Sequence, residues 1–293
     1  MDNFVVFILT HGRADNVITF ATLKREGYTG KVVLVVDNED ETVDEYKKRY
    51  GDENVYVFDK KAVSLTFDTM DLSEDRRTIV YARNACFDIA KELGFRYFLE
   101  LDDDYQSFEH RYPSEDGKKL MVDEVKDLDA VFSYMVKFLQ TSGADTVAFA
   151  QGGDFIGGIS GANYKKKVLR KVMNTFFCDT EKPFKFIGRI NEDVNTYTAR
   201  GSVGWLGLTI TDISIRQKQT QSNKGGMSDV YIDSGTYLKS FYSVMAMPSA
   251  VKIGAMGDSH IRFHHKVEWD LCVPKILNER VRKKRFNDTK DTI

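Results

Sequence analysis

Tyr97-Phe98-Leu99-Glu100-Leu101-Asp102-Asp103-Asp104-Tyr105 decides how this chain is read. Residues 97–101 have the aromatic and aliphatic bias, and the length, of a buried strand. The run stops on adjacent carboxylates, which repel one another and are expensive to desolvate, so folding alone does not favour them there. A divalent cation removes that cost. On extended backbone Asp102 and Asp104 point to the same side, because side chains alternate with period two. Two carboxylates at the C-terminal edge of a strand make half of a hard-cation site, whose other ligands are commonly phosphate oxygens and water. The plain alternative is a solvated acidic turn, against which the preceding buried strand weighs.

Upstream, residues 4–9 read as a buried strand, Thr10-His11-Gly12-Arg13 as a turn, and 14–25 as a helix ended by Gly27 and Gly30. Residues 31–36 form a second buried strand that stops at Asp37. This is a βαβ unit with short connections, the building block of a parallel sheet. A helix (42–50), a strand (54–58) and a long helix (76–93) follow, the last with Ile79, Ala82, Cys86 and Ile89 on one face and Gly94 closing it. Downstream, the pattern predicts a helix over 122–140 and a strand over 146–150. Glycines then cluster from Gly152 to Gly161, a basic segment spans 165–171, and strands and loops are expected beyond 200. The expected fold is α/β: a Rossmann-type, mostly parallel central sheet flanked by helices, with a mixed α/β second half. Residues 1–150 form the nucleotide-binding half and 151–293 the acceptor-side half, with a soft boundary inside one compact unit.

The 293 residues suffice for a substantial core, and 42% hydrophobic and 29% charged residues are ordinary for a soluble globular protein. A formal charge of -2 does not specify a partner. No apolar run approaches the roughly 20 residues that span a bilayer, and Met1-Asp2-Asn3 does not open a signal peptide. Cys86, Cys178 and Cys272 are odd in number and far apart, which disfavours a disulfide framework or a cysteine zinc site. A cytoplasmic protein without a membrane partner is expected.

Ligands of open α/β sheets bind outside the C-terminal ends of the strands. Thr10-His11-Gly12-Arg13 follows the first strand; Gly12 allows close backbone approach and Arg13 offers a fork of donors to phosphate. Asp37 ends the second strand and is placed to accept hydrogen bonds from a base or ribose. Arg83 and Asn84, on the helix leading to the acidic strand, are candidates for the nucleotide phosphates. With Asp102 and Asp104 these groups describe a nucleotide lying across strand tips, its diphosphate neutralised by a cation. Asn191-Glu192-Asp193-Val194 supplies a separate pair of acids, and transfer to a hydroxyl needs a carboxylate to take the acceptor proton. The same acids suit a helix N-terminus. His260, His264 and His265 lie within a short stretch, and imidazole suits manganese and other borderline cations. There is no P-loop, no Gly-x-Gly-x-x-Gly after the first strand and no Gly-x-Ser-x-Gly, which disfavours an ATPase, a nicotinamide enzyme and a serine hydrolase.

This order of features resembles the GT-A glycosyltransferases over nearly the whole chain. More narrowly, Leu99-Glu100-Leu101-Asp102-Asp103-Asp104-Tyr105, Asn191-Glu192-Asp193-Val194-Asn195-Thr196 and Phe263-His264-His265-Lys266 with Pro274-Lys275-Ile276 are similar to the phage-encoded TET-associated glycosyltransferases. That group is implicated in attaching sugars to hydroxymethylated pyrimidines of phage DNA. The resemblance implies that Thr10, Arg13 and Asp37, with the intervening His11 and Gly12, hold the uridine part of a UDP-sugar, assisted by Arg83 and its neighbour Asn84. It implies that Asp102 and Asp104 carry Mn2+ or Mg2+ against the diphosphate, with His264 or His265 as an added ligand. Asp103 lengthens the acidic run, which leaves open which aspartate meets the metal. Glu192 or Asp193 becomes the acceptor-activating base if the anomeric centre is inverted. The setting implied is the cytoplasm of an infected bacterial host.

A modified double-stranded DNA acceptor needs positive surface, for which Lys165, Lys166, Lys167, Arg170 and Lys171, and the run from Arg280 to Arg285, are candidates. Trp205, Phe241 and Tyr242 are possible stacking partners for an extruded base. Competing readings are a nucleotidyltransferase with paired carboxylates and magnesium, a glycosyltransferase with a protein or small-molecule acceptor, and a nucleic-acid-binding module whose acids are structural.

Overall fold

A computed structural model describes residues 3–217, 237–256 and 262–272. Its strands are β1 (Phe4–Leu9), β2 (Val32–Asp37), β3 (Val55–Phe58), β4 (Tyr97–Asp102), β5 (Tyr105–Pro113), β6 (Leu120–Glu124), β7 (Thr146–Ala150), β8 (Val168–Leu169), β9 (Phe176–Asp179) and β10 (Gly207–Gln217). They form one ten-stranded sheet in the order β3-β2-β1-β4-β9-β7-β10-β5-β6, with β8 added on β10. β3, β2, β1 and β4 are mutually parallel, as the βαβ pattern requires. β9 runs against both β4 and β7, and β5 against both β10 and β6. β7 and β10 are parallel, so most strands of the sheet still point one way. A separate hairpin pairs β11 (Val251–Met256) with β12 (Arg262–Val267). Strands from both sides of residue 150 thus share one sheet.

Two apolar layers cover it. On one face Phe4, Phe108, Phe149 and Phe177 converge on Phe132 of α5 (Leu128–Ser142). On the other, Phe7 and Phe98 pack on α4 (Val80–Glu92) through Phe87. Phe132 is fully buried and meets the rings of Tyr28, Phe177 and Phe108 at centroid distances of 5.1, 5.7 and 5.8 Å. Phe132→Ala is therefore expected to cost about 3–5 kcal/mol, since the close-packed surroundings leave a cavity; urea unfolding checks it.

Several boundaries differ from expectation for local reasons. α1 (Ile18–Arg25) starts later than residue 14, because the preceding segment turns with Asn16 N donating to Arg13 O at 2.9 Å. α4 starts at Val80 because Asp75 accepts from the Arg77 backbone N–H at 2.9 Å and holds that stretch in a turn. The segment expected as a helix over 122–140 is divided: β6 pairs with β5, and the Asp127 side chain caps α5 by accepting from Ala130 N at 2.9 Å. β9, only four residues long, gave no readable periodicity. Beyond 200 a helix, α8 (Leu238–Ala246), joins the expected strands. Among the described residues no helix is long and apolar enough to cross a membrane.

Candidate active site

Because β2, β1 and β4 are parallel neighbours, their C-terminal ends present Asp37, Thr10 and Asp102 side by side. Strand alternation stops at Asp102: Asp103 and Asp104 form the turn into β5. The same-side argument for Asp102 and Asp104 therefore does not carry through extended backbone. Instead α1 pins the turn, with Thr19 Oγ1 donating to Asp102 O at 2.6 Å and Thr19 N to Asp103 O at 3.1 Å. The Tyr105 backbone N–H donates in turn to Thr19 Oγ1 at 2.9 Å.

The three aspartates have separate surroundings. Asp103 is buried and accepts from Thr10 Oγ1 and Arg13 Nη1, each at 2.8 Å. It fastens the loop after β1 to the turn after β4, and is already committed within the protein. Asp104 accepts from the Gln217 side chain, and its Oδ1 is buried with no partner. Burial, then the Asp103 charge, pushes its carboxyl up to about 6. Asp102 is pushed up to about 7 by burial, against the pull of Arg83, with Asp104 and Glu192 adding to the rise. Crowded carboxylates with an unsatisfied buried oxygen and hard donor atoms fit a divalent cation.

The remaining expected ligands do not join them. Among the described residues no three His, Cys, Asp or Glu side chains gather as a metal-holding group, so His264 and His265 do not complete a set with Asp102 and Asp104. They sit on β12, opposite Gly254 and Ile253 of β11, with their rings 4.3 Å apart. His265 is held neutral, its pKa lowered to about 4 by burial and by the nearby His264, Lys239 and Lys171.

In the loop after β1, Gly12 has φ +65°, a conformation that favours glycine, and its N–H donates to Asp40 Oδ2 at 2.6 Å. The Tyr46 hydroxyl lies 2.9 Å from Thr10 Oγ1 and accepts from Arg13 N at 2.8 Å. Asp37 is buried, 2.7 Å from His11 Nδ1 and 3.2 Å from Lys60 Nζ. It is thus an anchor for His11, whose side chain stays 41% exposed at the strand tips. The hydrogen bond to Asp37 raises the His11 pKa, while His11 and Lys60 lower that of Asp37 against its burial. The raised imidazole adds stability that is fully present below its unfolded value and is lost as pH rises through its folded one. The depressed carboxyl adds stability that is lost as pH falls through its own folded value. The stability difference between wild type and His11→Gln is therefore expected to shrink as pH is raised above the imidazole's ordinary 6.5. Thermal melts across pH check this, and a difference that grows with pH refutes it.

Arg83 points toward the strand tips, through Asp102, but is buried there rather than open to a nucleotide. It is 1% exposed and is the hub of a buried acidic cluster: Nε lies 2.9 Å from Glu192 Oε1, Nη2 2.9 Å from Asp102 Oδ1 and Nη1 3.5 Å from Glu100 Oε2. Its guanidinium stacks over Phe176 at 4.8 Å from the ring centroid. Asn84 is likewise corrected from nucleotide contact to structural clamp. Its amide accepts from Phe186 N at 2.9 Å and donates to Phe186 O at 3.0 Å, fully buried.

Glu192 and Asp193 open α7 (Glu192–Gly201), after Asn191 in the left-handed region at φ 61°. Asn191 Nδ2 donates to Ser243 Oγ at 2.6 Å, and Ser243 Oγ donates to Asn195 Oδ1 at 3.0 Å, docking α7 on α8. Gly188, in the turn before it, has no room for a side chain, because a Cβ would lie 2.3 Å from Asn195 Nδ2. Burial, then the charge of Glu192, pushes Asp193 up to about 6.

Several participants were missed. Glu100 is fully buried, and burial pushes its carboxyl up to about 8; a lone acid inside the apolar 97–101 run was the available signal. Lys60, Gln217 and Thr19 carried no local signal. Trp205 packs against Phe184 in the core, and the buried Tyr242 bonds Arg189 and Asp71, so neither is a stacking partner. Phe241 is exposed. In the basic segment Lys167 pairs with Asp212 and Lys171 with Asp154, while Lys165 and Lys166 are exposed. His260, residues 274–276 and 280–285 lie outside the described residues.

The parallel strand tips of the α/β sheet thus carry a crowded carboxylate group, and a second acid pair opens the adjoining α7. The chain belongs to the TET-associated glycosyltransferase family, whose model matches residues 4–226. It is a glycosyltransferase. Among solved structures it is similar to the mannosyltransferase PcManGT of Pyrobaculum calidifontis, in complex with GDP-Man and Mn2+, at 11% identity and a TM-score of 0.47, covering 84% of this chain and 73% of that one. It is also similar to glucosyl-3-phosphoglycerate synthase of Mycobacterium tuberculosis with Mg2+ and UDP, at 9% identity and TM-score 0.44, covering 90% and 87%. A third is S. aureus TarS 1-349 with UDP, at 12% identity and TM-score 0.44, covering 84% and 66%. A comparison with curated proteins gives no match.

Proposed function

We propose that this glycosyltransferase moves a sugar from a UDP-sugar to the hydroxyl of a hydroxymethylated pyrimidine in double-stranded DNA, using Mn2+ or Mg2+. The observation that carries the reading is the pair Asp102 and Asp104, raised in pKa, one with a buried unpartnered oxygen, between a donor loop and a separate acid pair. Asp102 and Asp104 would hold the cation, which when bound stabilises charge on the departing diphosphate. Arg13 and the exposed His11 lie on the loop that would meet the nucleotide, and Asp37, Asp103 and Lys60 keep that loop in place. Glu192 is engaged by Arg83, which makes Asp193 the better base; a carboxyl near pH 6 also accepts a proton more readily than an ordinary aspartate. In an inverting transfer the acceptor oxygen bonds to the anomeric carbon, its proton passes to Asp193, and the bond to the diphosphate oxygen breaks with UDP leaving. The DNA acceptor rests on the family's name and on the resemblance of the three acidic and histidine motifs.

The test incubates the protein with Mn2+, each of several UDP-sugars and hydroxymethylpyrimidine duplex DNA. UDP release that depends on the modified duplex, with a mass gain on the digested nucleoside equal to the sugar residue of the donor used, is the expected result. Release of pyrophosphate from a nucleoside triphosphate, or no transfer to any modified duplex, overturns it.

A further inference from the structure

The aspartate turn borders a second polar site. On the antiparallel pair β5–β10, Ser107 lies opposite Arg216 and Glu109 opposite Ser214. Alternation puts Ser107, Glu109, Arg111, Ser214 and Arg216 on one face of the sheet, while Phe108, Ile213 and Ile215 enter the core on the other. Above the polar face, the segment after β7 borders an open cleft of about 460 Å³ lined by Glu109, Arg111, Arg216, Gln217 and residues 151–153.

The chemistry of this cleft favours an anion. Among the described residues that line it, the one buried carboxylate, Glu109, faces two guanidiniums: Arg111 Nη2 at 2.5 Å and Arg216 Nε at 3.6 Å. The trio therefore keeps one net positive charge. Arg111 is held by Ser214 Oγ at 2.8 Å and lies over the Phe155 ring at 4.6 Å, so its fork is fixed in place. Arg216 is 57% exposed and able to reach a ligand. Gln151 Nε2 is buried with no partner. A Cβ on Gly152 or Gly153 would meet nothing within 4 Å, so the backbone there leaves room. Fixed guanidinium forks beside an unspent amide donor suit a phosphate group. Gln217 lines the cleft and also donates to Asp104, so the bound anion would lie just beyond the aspartate turn.

We propose that this cleft is an acceptor subsite that binds a phosphate group of the acceptor. The inference rests on the reading of the chain as a transferase to DNA, where the phosphate is a backbone phosphodiester near the modified base. A small phosphorylated acceptor carries the same chemistry.

Arg216→Gln is the variant of choice, because the side chain is exposed and Arg111 still neutralises Glu109. With modified duplex as acceptor, its KM is expected to rise about tenfold, the loss of one charge-assisted contact, with kcat nearly unchanged. The slope of log KM against log salt should fall by about 1. Arg216→Lys should recover part of the loss. UDP release without acceptor, and transfer to the phosphate-free hydroxymethyl nucleoside, should not change. In parallel, a titration with inorganic phosphate followed by NMR should perturb wild type and leave Arg216→Gln unaffected, a readout that survives even if the duplex is not a substrate. A phosphate response lost in Arg216→Gln with an unchanged duplex KM supports the subsite and assigns it to a small phosphorylated acceptor. Equal phosphate responses together with equal duplex KM values overturn the proposal.

Discussion

Arg83→Leu is expected to cost about 3–5 kcal/mol of stability and to stop sugar transfer. Removing one member of a buried ion-pair group leaves the others charged and unpaired in a medium that solvates them poorly. Here the stranded groups are Glu192 and Asp102, each held at 2.9 Å. Urea unfolding reads the first effect, and UDP release the second. Arg83→Lys keeps the charge but not the planar fork that reaches several carboxylates at once. It should remain folded with transfer reduced at least about tenfold, which separates positioning from collapse. Glu100 behaves differently. With its carboxyl pushed up to about 8, it is mostly neutral at pH 7 in the folded protein but ionised in the unfolded chain, so Glu100→Gln, which has no proton to lose, should be more stable than wild type there. A folded-state pKa above the unfolded 4.5 means stability that is full below 4.5 and declines as pH rises toward 8. Glu100→Gln should flatten that decline in thermal melts from pH 5 to about 8. A steeper decline in the variant would show that Glu100 is charged in the native protein.

Asp104→Asn is expected to lower turnover by about a thousandfold or more while leaving the fold intact. The magnitude follows from the several kcal/mol that a cation contributes to stabilising a leaving diphosphate, at about 1.36 kcal/mol per tenfold. The fold should survive because Asp104 Oδ1 has no protein partner to lose and an amide removes a repulsive charge beside Asp103. In wild type, the melting temperature gained on adding Mn2+ should grow as pH rises through about 6 and 7, as Asp104 and Asp102 become available to the ion. In Asp104→Asn that gain should be small at every pH. An unchanged manganese response with unchanged turnover would remove Asp104 from the cation site.

Much of this was readable along the chain. Continuous apolar runs stopping at Thr10, Asp37 and Asp102 are what strands buried on both faces look like when they end at a ligand-binding edge, and the βαβ connections make those ends neighbours. The acid pair at the start of α7 was equally local. A local period does not carry past its element: strand alternation ends at Asp102, so Asp104 lies in a turn, and the apparent helical period over 122–140 is broken by β6. Thr10 and Asp103 both lie at the strand tips, but their hydrogen bond to each other belongs to no pattern shorter than the fold.

Taken alone, the order of residues determined the elements and which of them end in carboxylates, because burial and backbone geometry act over a few neighbouring positions. Only the tertiary structure decided which charges neutralise which. Arg83 meets Glu192, and Glu109 meets Arg216, across large stretches of chain. Such pairings are selected by the cost of leaving a charge unpaired inside the folded protein, a cost that does not exist until strands and helices have come together.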